Sequence, residues 1–206
     1  MMTQYGFFYD ATRCTGCKTC ELACKDYKDL PVDFSFRHVY EVEGGSWQQD
    51  DAGFWTTDSY TYYLSMSCNH CDEPACTHAC PTGAMHKDTD TGIVSVDEAK
   101  CIGCGYCAMA CPYDAPTVSK EIGHSAKCNG CAERVAAGMQ PICVEACSGR
   151  ALFFAPIDEL PSGEGRADIA PLPAEDFTGP NLYLKKCVSM QPVATDVAIS
   201  NILEVM

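Results

Sequence analysis

The residues with the clearest capacity for chemistry are the cysteines, seventeen of them in a chain of 206 residues. Cys101-Ile-Gly-Cys104-Gly-Tyr-Cys107-Ala-Met-Ala-Cys111-Pro112 spaces four thiols as C-x2-C-x2-C-x3-C and ends on proline. Three thiolates at such short intervals can wrap one corner of an iron–sulfide cubane, provided the loop between them curls around the inorganic sulfide. Gly103 and Gly105 permit that curl, because a residue without Cβ adopts positive φ freely and lets backbone N–H groups approach sulfur. A helix starting near the third thiol carries the fourth away from its neighbours. Pro112 then ends the helix, since the residue before a proline is pushed out of the α region. Where two cubanes are held by two such runs, the fourth cysteine of each serves the other cubane, so one run predicts a partner.

Three more runs are present. Cys14-Thr-Gly-Cys17-Lys-Thr-Cys20-Glu-Leu-Ala-Cys24 repeats the spacing; Cys68-Asn-His-Cys71 with Cys76 and Cys80-Pro81 adds two residues before its third thiol; Cys128-Asn-Gly-Cys131 with Cys143 and Cys147 carries a longer insertion. Four groups of four leave only Cys187, expected to be a free thiol without a role, and predict four [4Fe–4S] clusters. A cubane with a thiolate on every iron has no open position for substrate and exchanges one electron. There is no Gly-rich dinucleotide loop after a strand, no P-loop and no nucleophile–base pair. The expectation is a conductor of electrons with no catalytic residue of its own, the chemistry lying on another subunit.

Two other uses of cysteine compete. A disulfide scaffold is disfavoured by the odd count, the tight C-x2-C pairs and an amino terminus with neither a basic segment nor an apolar core, so that no signal peptide is expected. Tetrahedral zinc suits C-x2-C pairs as well, but it would leave the protein colourless and redox-silent. The 47% hydrophobic fraction includes the cysteines, so the apolar core is modest and bound metal is expected to share in folding. No stretch of about 18 apolar residues suggests a membrane span. With 14 basic and 28 acidic residues the formal charge is −14, and clusters would make it more negative, which disfavours nucleic acid as a partner.

The elements that must position these thiols read as short pieces. Tyr5–Tyr9 reads as a strand, Lys18–Asp29 as a helix stopped by Pro31, Phe34–Trp55 as a ribbon with turns at its glycines, and Tyr60–Met66 as a further strand. Between the second and third groups two short strands flank a polar turn. Residues 61–118, with Cys-Pro at both ends, therefore resemble a complete two-cluster bacterial ferredoxin. The first and fourth groups flank this block, so residues 1–60 with 119–160 are expected to form a second ferredoxin-like unit into which the first is inserted. Only 20 residues separate Cys80 from Cys101 but 43 separate Cys24 from Cys68, which favours nesting over consecutive pairing. The fold class expected is α+β: two nested ferredoxin-like 2×[4Fe–4S] units with short hairpins and helices. After a closing strand at Ala151–Ala155, residues 161–206 form an extended tail, either a strap on the protein's own surface or an arm for a partner.

Nesting with exchange of the fourth cysteine assigns Cys14, Cys17, Cys20 and Cys147 to one cluster and Cys128, Cys131, Cys143 and Cys24 to another. The inserted unit would use Cys68, Cys71, Cys76 and Cys111 for one and Cys101, Cys104, Cys107 and Cys80 for the other. His70 stands where the other C-x2-C loops have glycine; a donor toward sulfur and simple packing are both open. Trp47 and Trp55 are expected in the core rather than at an interface. Lys185-Lys186 reads as a solvated pair.

Beyond the cysteines, Gln4-Tyr-Gly-Phe-Phe8, Arg13 to Leu30, Ser67-Cys-Asn-His-Cys71 and Pro156-Ile-Asp-Glu-Leu160 resemble the iron–sulfur subunits of bacterial anaerobic dimethyl sulfoxide reductase, within the four-cluster ferredoxin-like family. The resemblance covers most of the chain and weakens after about Pro180. It implies a molybdopterin catalytic subunit that reduces dimethyl sulfoxide or a related S- or N-oxide, and a membrane anchor that oxidises menaquinol. This subunit would pass electrons between them in anaerobic respiration. It also implies membrane association through those partners, at the periplasmic face, by co-export with a partner bearing a twin-arginine signal. Related nitrate reductase subunits have tryptophan where this chain has Cys104, so four-iron clusters throughout are expected here. Ser148 departs from the family's usual Cys-Pro ending. The equivalent subunits of formate dehydrogenase, polysulfide reductase and tetrathionate reductase are the alternatives within the class.

Overall fold

The structure, a computed structural model, describes residues 3–32, 34–118, 121–161, 163 and 165–205. Strand β1 (Tyr5–Asp10) enters the first cysteine loop and is followed by α1 (Thr19–Tyr27). Next come β2 (His38–Gly44), β3 (Trp47–Gln49), β4 (Trp55–Thr57) and β5 (Tyr60–Met66), then α2 (Ala75–His78), β6 (Met85–Lys87), β7 (Val94–Val96) and α3 (Tyr106–Ala110). The chain continues through β8 (Thr117–Val118), β9 (Ser125–Ala126), α4 (Ala132–Ala136), α5 (Ile142–Glu145) and β10 (Leu152–Pro156). It ends with β11 (Leu182–Lys185), β12 (Ala198–Ile199) and α6 (Ile202–Val205). The class is α+β, as expected. No helix among the described residues is long and apolar enough to cross a membrane.

The aromatic run at the amino terminus forms the central strand of the main sheet because both of its faces are covered: Phe7, Phe8 and Tyr9 are all buried. β10 pairs with it antiparallel, setting Phe7 opposite Phe154, and β11 pairs on its other side in parallel, setting Phe8 opposite Tyr183. The expected closing strand is therefore β10. The tail is extended, but it is neither a surface strap nor a free arm. Leu182 and Leu184 of β11 and the preceding Ala167, Ile169 and Ala170 are buried, and β12 lies on the edge of β2.

The expected ribbon is a long hairpin in which β2 pairs with β5, Val42 facing Tyr62, and the smaller β3–β4 hairpin extends beyond it. Val39, Val42, Tyr62 and Leu64 point into the core. Trp47 and Trp55 do not: they are 64% and 60% exposed, because β3–β4 projects past every layer that could cover it. In the middle of the chain, β6 and β7 form the expected hairpin of three-residue strands. Apart from α1, the α-helices have only four or five residues, too few to be stable without what they pack against.

Candidate metal centres

Helices α1 and α5 pack together, as do α2 and α3. Each pair brings two cysteine runs into contact across a long sequence distance. Cys20 and Cys24 lie on α1 and Cys143 on α5, with Cys147 just beyond it; Cys76 lies on α2 and Cys107 on α3, with Cys80 and Cys111 just beyond their ends.

The thiols converge in four sets. Cys14, Cys17, Cys20 and Cys147 line one small cavity closed by Tyr9, Val39 and Leu152. Cys68, Cys71, Cys76 and Cys111 line a second, walled by Val94, Tyr113 and Pro116, and Cys80, Cys101, Cys104 and Cys107 line a third beside Met85 and Val96. The fourth set is read from mutual electrostatics. Burial pushes the Cys24 thiol up, and its neighbours Cys128, Cys143 and Cys131 push it further. Each set combines three cysteines of one run with the last cysteine of its partner run. Cys187 stands outside all four, half-buried against the core.

The loops that present the thiols share one backbone feature. The residue before the second cysteine is left-handed in all four: Gly16 (φ 68°), His70 (φ 46°), Gly103 (φ 66°) and Gly130 (φ 65°). At Gly103 a Cβ would also sit 2.7 Å from the carbonyl oxygen of Gly123, so both space and φ require glycine. His70 is the exception visible in the sequence, and histidine is among the residues that tolerate this conformation.

Hydrogen bonds reach sulfur in every set. The N–H groups of Ala151, Met85, Ser125 and Gly130 donate to Cys147, Cys80, Cys101 and Cys128 at 3.2, 3.3, 3.3 and 3.4 Å. The hydroxyls of Thr19 and Thr178 donate to Cys17 and Cys71, each at 3.3 Å. The hydroxyl of Ser148 lies 3.6 Å from the sulfur of Cys17. Donors of this kind stabilise anionic sulfur and are a main lever on the potential of a thiolate-bound cluster.

Electrostatics make the two more buried sets, those of Cys71 and of Cys143, hostile to bare thiolates. Burial pushes Cys71 and Cys76 up to about 12 and Cys143 to about 11, whereas Cys17, bonded by Thr19 near solvent, falls to about 7. Four converging, largely buried anions need a polycation among them. Among the described residues no group of three or more His, Cys, Asp or Glu side chains is placed to hold a metal ion. Thiols arrayed around a void suit a cubane with iron at its corners better than a single tetrahedral zinc.

His70 is fully buried and stacks on Phe7 with ring centroids 6.5 Å apart. Its Nδ1 accepts the N–H of Val94 at 3.1 Å, which leaves the proton of the neutral ring on Nε2, and it lies 3.7 Å from the sulfur of Cys68. Nε2 has no partner at hydrogen-bonding distance. The ring is nevertheless close enough to Cys128 to bring that thiol below its ordinary value, against the opposing effect of burial. His70 thus stands between the second and fourth sets. His38 and His124 are partly buried beside Glu21 and Glu98, His86 is exposed with its Nδ1 3.0 Å from the carbonyl oxygen of Ala84, and His78 is exposed beside Glu73.

Three buried cations, Arg37, Lys127 and Arg134, the last paired with Glu145, were not apparent from sequence. Arg37 bonds to Ser65 and Ser67, and the ammonium of Lys127 donates to the carbonyls of Val94 and Cys128. Arg37 and Lys127 adjoin a histidine and a cysteine in sequence, but nothing in the strand-like patterns around them signals burial.

A family profile described as "4Fe-4S dicluster domain" matches residues 59–156, a span that includes the second, third and fourth cysteine groups. The chain is 60% identical over 193 residues to YnfG, a probable anaerobic dimethyl sulfoxide reductase subunit of Escherichia coli (strain K12), covering 93% of each protein. It is 60% identical over 185 residues to the B subunit of the anaerobic dimethyl sulfoxide reductase of Haemophilus influenzae, covering 89% of this chain and 90% of that one. The thiosulfate reductase electron transfer subunit PhsB of Salmonella typhi is 39% identical over 162 residues, 77% of this chain and 79% of that protein.

Proposed function

The chain belongs to the family of iron–sulfur electron-transfer subunits of anaerobic dimethyl sulfoxide reductases, and from this premise we propose that it carries four [4Fe–4S] clusters in a line between two partner subunits. The observation that carries this reading is the convergence of sixteen cysteines into four sets of four, each set drawing its last member from a partner run. The proposed ligands are Cys14, Cys17, Cys20 and Cys147; Cys24, Cys128, Cys131 and Cys143; Cys68, Cys71, Cys76 and Cys111; and Cys80, Cys101, Cys104 and Cys107. Residues 1–60 with 119–160 form the outer unit and 61–118 the inserted one. The packing of α1 on α5 and of α2 on α3 supports that division.

When bound, each cluster supplies one-electron oxidation and reduction. The chain's own side chains do the rest. The cysteines fix the order of the sites, His70 joins the set of Cys68 to that of Cys128, and the threonine, serine and backbone donors stabilise negative sulfur. Val94, Tyr113, Leu152 and Tyr9 exclude water. Cys17 and Cys104 are the two solvent-exposed members, one in each of the two sets that His70 does not touch. They mark the ends at which an electron donor and an acceptor approach.

The partners that fit are a membrane anchor oxidising menaquinol and a molybdopterin subunit reducing dimethyl sulfoxide or related S- or N-oxides, with the complex at the periplasmic face. Anaerobic isolation from membranes, followed by identification of the accompanying subunits, tests this. Recovery of an oxide-reducing molybdopterin subunit together with an integral membrane subunit is expected, and a thiosulfate- or tetrathionate-reducing partner would overturn the assignment. Replacing Cys104 with serine is expected to convert one cluster to a three-iron form and to slow quinol-linked reduction. An unchanged EPR spectrum with full turnover would remove Cys104 from the ligand set.

A further inference from the structure

Arg37 heads the fully buried side chains by size, at 2% exposure. Its guanidinium lies over Phe7, 4.8 Å from the ring centroid. One terminal nitrogen donates to the carbonyl and hydroxyl oxygens of Ser65 at 3.2 and 3.0 Å, the other to the hydroxyl of Ser67 at 2.9 Å, while Nε–H has no partner. No carboxylate among the described residues forms an ion pair with it. A guanidinium does not lose its proton in a protein, so a buried one without an anion is strongly disfavoured unless something else supplies negative charge.

Sulfur supplies it. Burial would weaken the cation, but Cys143, Cys20, Cys128 and Cys24 together more than offset that effect. Cys20 belongs to one outer set and the other three to the second. Ser65 makes the link concrete: its hydroxyl oxygen accepts from Arg37 and lies 3.4 Å from the sulfur of Cys20, leaving the hydroxyl proton free to donate to that sulfur.

We propose that Arg37 is the shared internal counter-ion of the two outer clusters and that its fixed charge raises the reduction potential of both. This rests on the ligand assignment above. Reduction adds one negative charge to a centre that is already net anionic, and a cation nearby in a region of low dielectric favours the added electron. Arg37 is thus a positioning residue for electron passage through the outer unit.

The test is an EPR-monitored redox titration of the intact, membrane-bound complex, with signals assigned through the Cys24→Ser and Cys104→Ser variants. Iron content of the unsubstituted complex is measured first. Fewer than four clusters on this chain would overturn the ligand assignment and the proposal with it. With four present, Arg37→Gln is expected to lower both outer clusters by roughly a tenfold change in the reduced-to-oxidised ratio, about 59 mV for one electron. The cluster of Cys80, Cys101, Cys104 and Cys107 should stay where it was, and Arg37→Lys, which keeps the charge, should restore most of the shift. Unmoved outer potentials, or equal shifts with glutamine and lysine, would overturn the proposal while leaving the clusters in place. Should Arg37→Gln fail to assemble, Arg37→Met, uncharged and of similar length, decides: lowered potentials for both outer clusters support the proposal, and unchanged ones overturn it.

Discussion

Replacing Cys24 with serine is expected to abolish or degrade the cluster held by Cys128, Cys131 and Cys143, and to leave intact the one held by Cys14, Cys17 and Cys20. This is counter-intuitive from sequence, where Cys24 completes the first run. The reason lies in α1. Cys20 and Cys24 are one helical turn apart, and the packing of α1 against α5 sends Cys20 to the cavity it shares with Cys147 and Cys24 toward Cys128 and Cys143. Losing a thiolate here leaves a cluster on three buried, mutually repelling thiolates, so the whole cluster is at risk, in contrast to solvent-exposed Cys104. EPR of Cys24→Ser and Cys131→Ser should show the same signal missing from both. Loss of the Cys20 cluster in the Cys24 variant would instead mean that each run closes on itself.

Removing iron is expected to unfold the inserted unit before the main sheet. In the inserted unit proposed above, the hydrophobic cluster that is separate from the main core has four buried residues, Cys76, Met85, Val94 and Cys107, and two of them are proposed ligands. Apart from β5, which pairs with β2, and the two-residue β8, the unit's secondary structure is a hairpin of three-residue strands and helices of four and five residues, none stable alone. Structural zinc contributes about 10–16 kcal/mol to small domains, as much as the roughly 5–15 kcal/mol that separates a typical folded domain from its unfolded state. Cluster loss of comparable size would leave this unit without net stability. The main sheet differs, because Phe7, Tyr9, Phe154, Leu182 and Leu184 bury one another independently of iron. Hydrogen exchange after anaerobic chelation should therefore show β6, β7, α2 and α3 unprotected and β1 and β10 still protected, with recovery on adding iron, sulfide and reductant. Full protection throughout would mean that the inserted unit folds without metal.

Spacing made the cysteine groups legible because ligation is a local demand: a C-x2-C loop must place two sulfurs on one corner of a cubane whatever the rest of the chain does. Strands β1, β5 and β10 and helix α1 were legible for a similar reason, each having a compositional run long enough to carry a signal. What escaped was decided at a distance. β11 is four residues whose place beside β1 depends on a strand more than 170 positions earlier, so the tail read as a strap or a partner's docking arm. Trp47 and Trp55 carry the composition of core residues, but the hairpin bearing them has nothing above it to pack on. Arg37 sits in a segment that reads as a half-exposed strand. Its burial depends on Ser65 and Ser67, supplied by β5 and the loop after it, and on sulfurs from two separate runs. His70 could be flagged from sequence as the departure from glycine, but only the fold places it between two sets of thiols.

The most direct measurement is metal and acid-labile sulfide per chain in anaerobically prepared protein, read together with its visible and EPR spectra. Four cubanes predict about sixteen irons and sixteen sulfides on this chain, with a brown colour that dithionite bleaches. Zinc in place of iron, or a colourless protein silent to dithionite, would contradict the assignment of these cysteines to an electron-carrying wire.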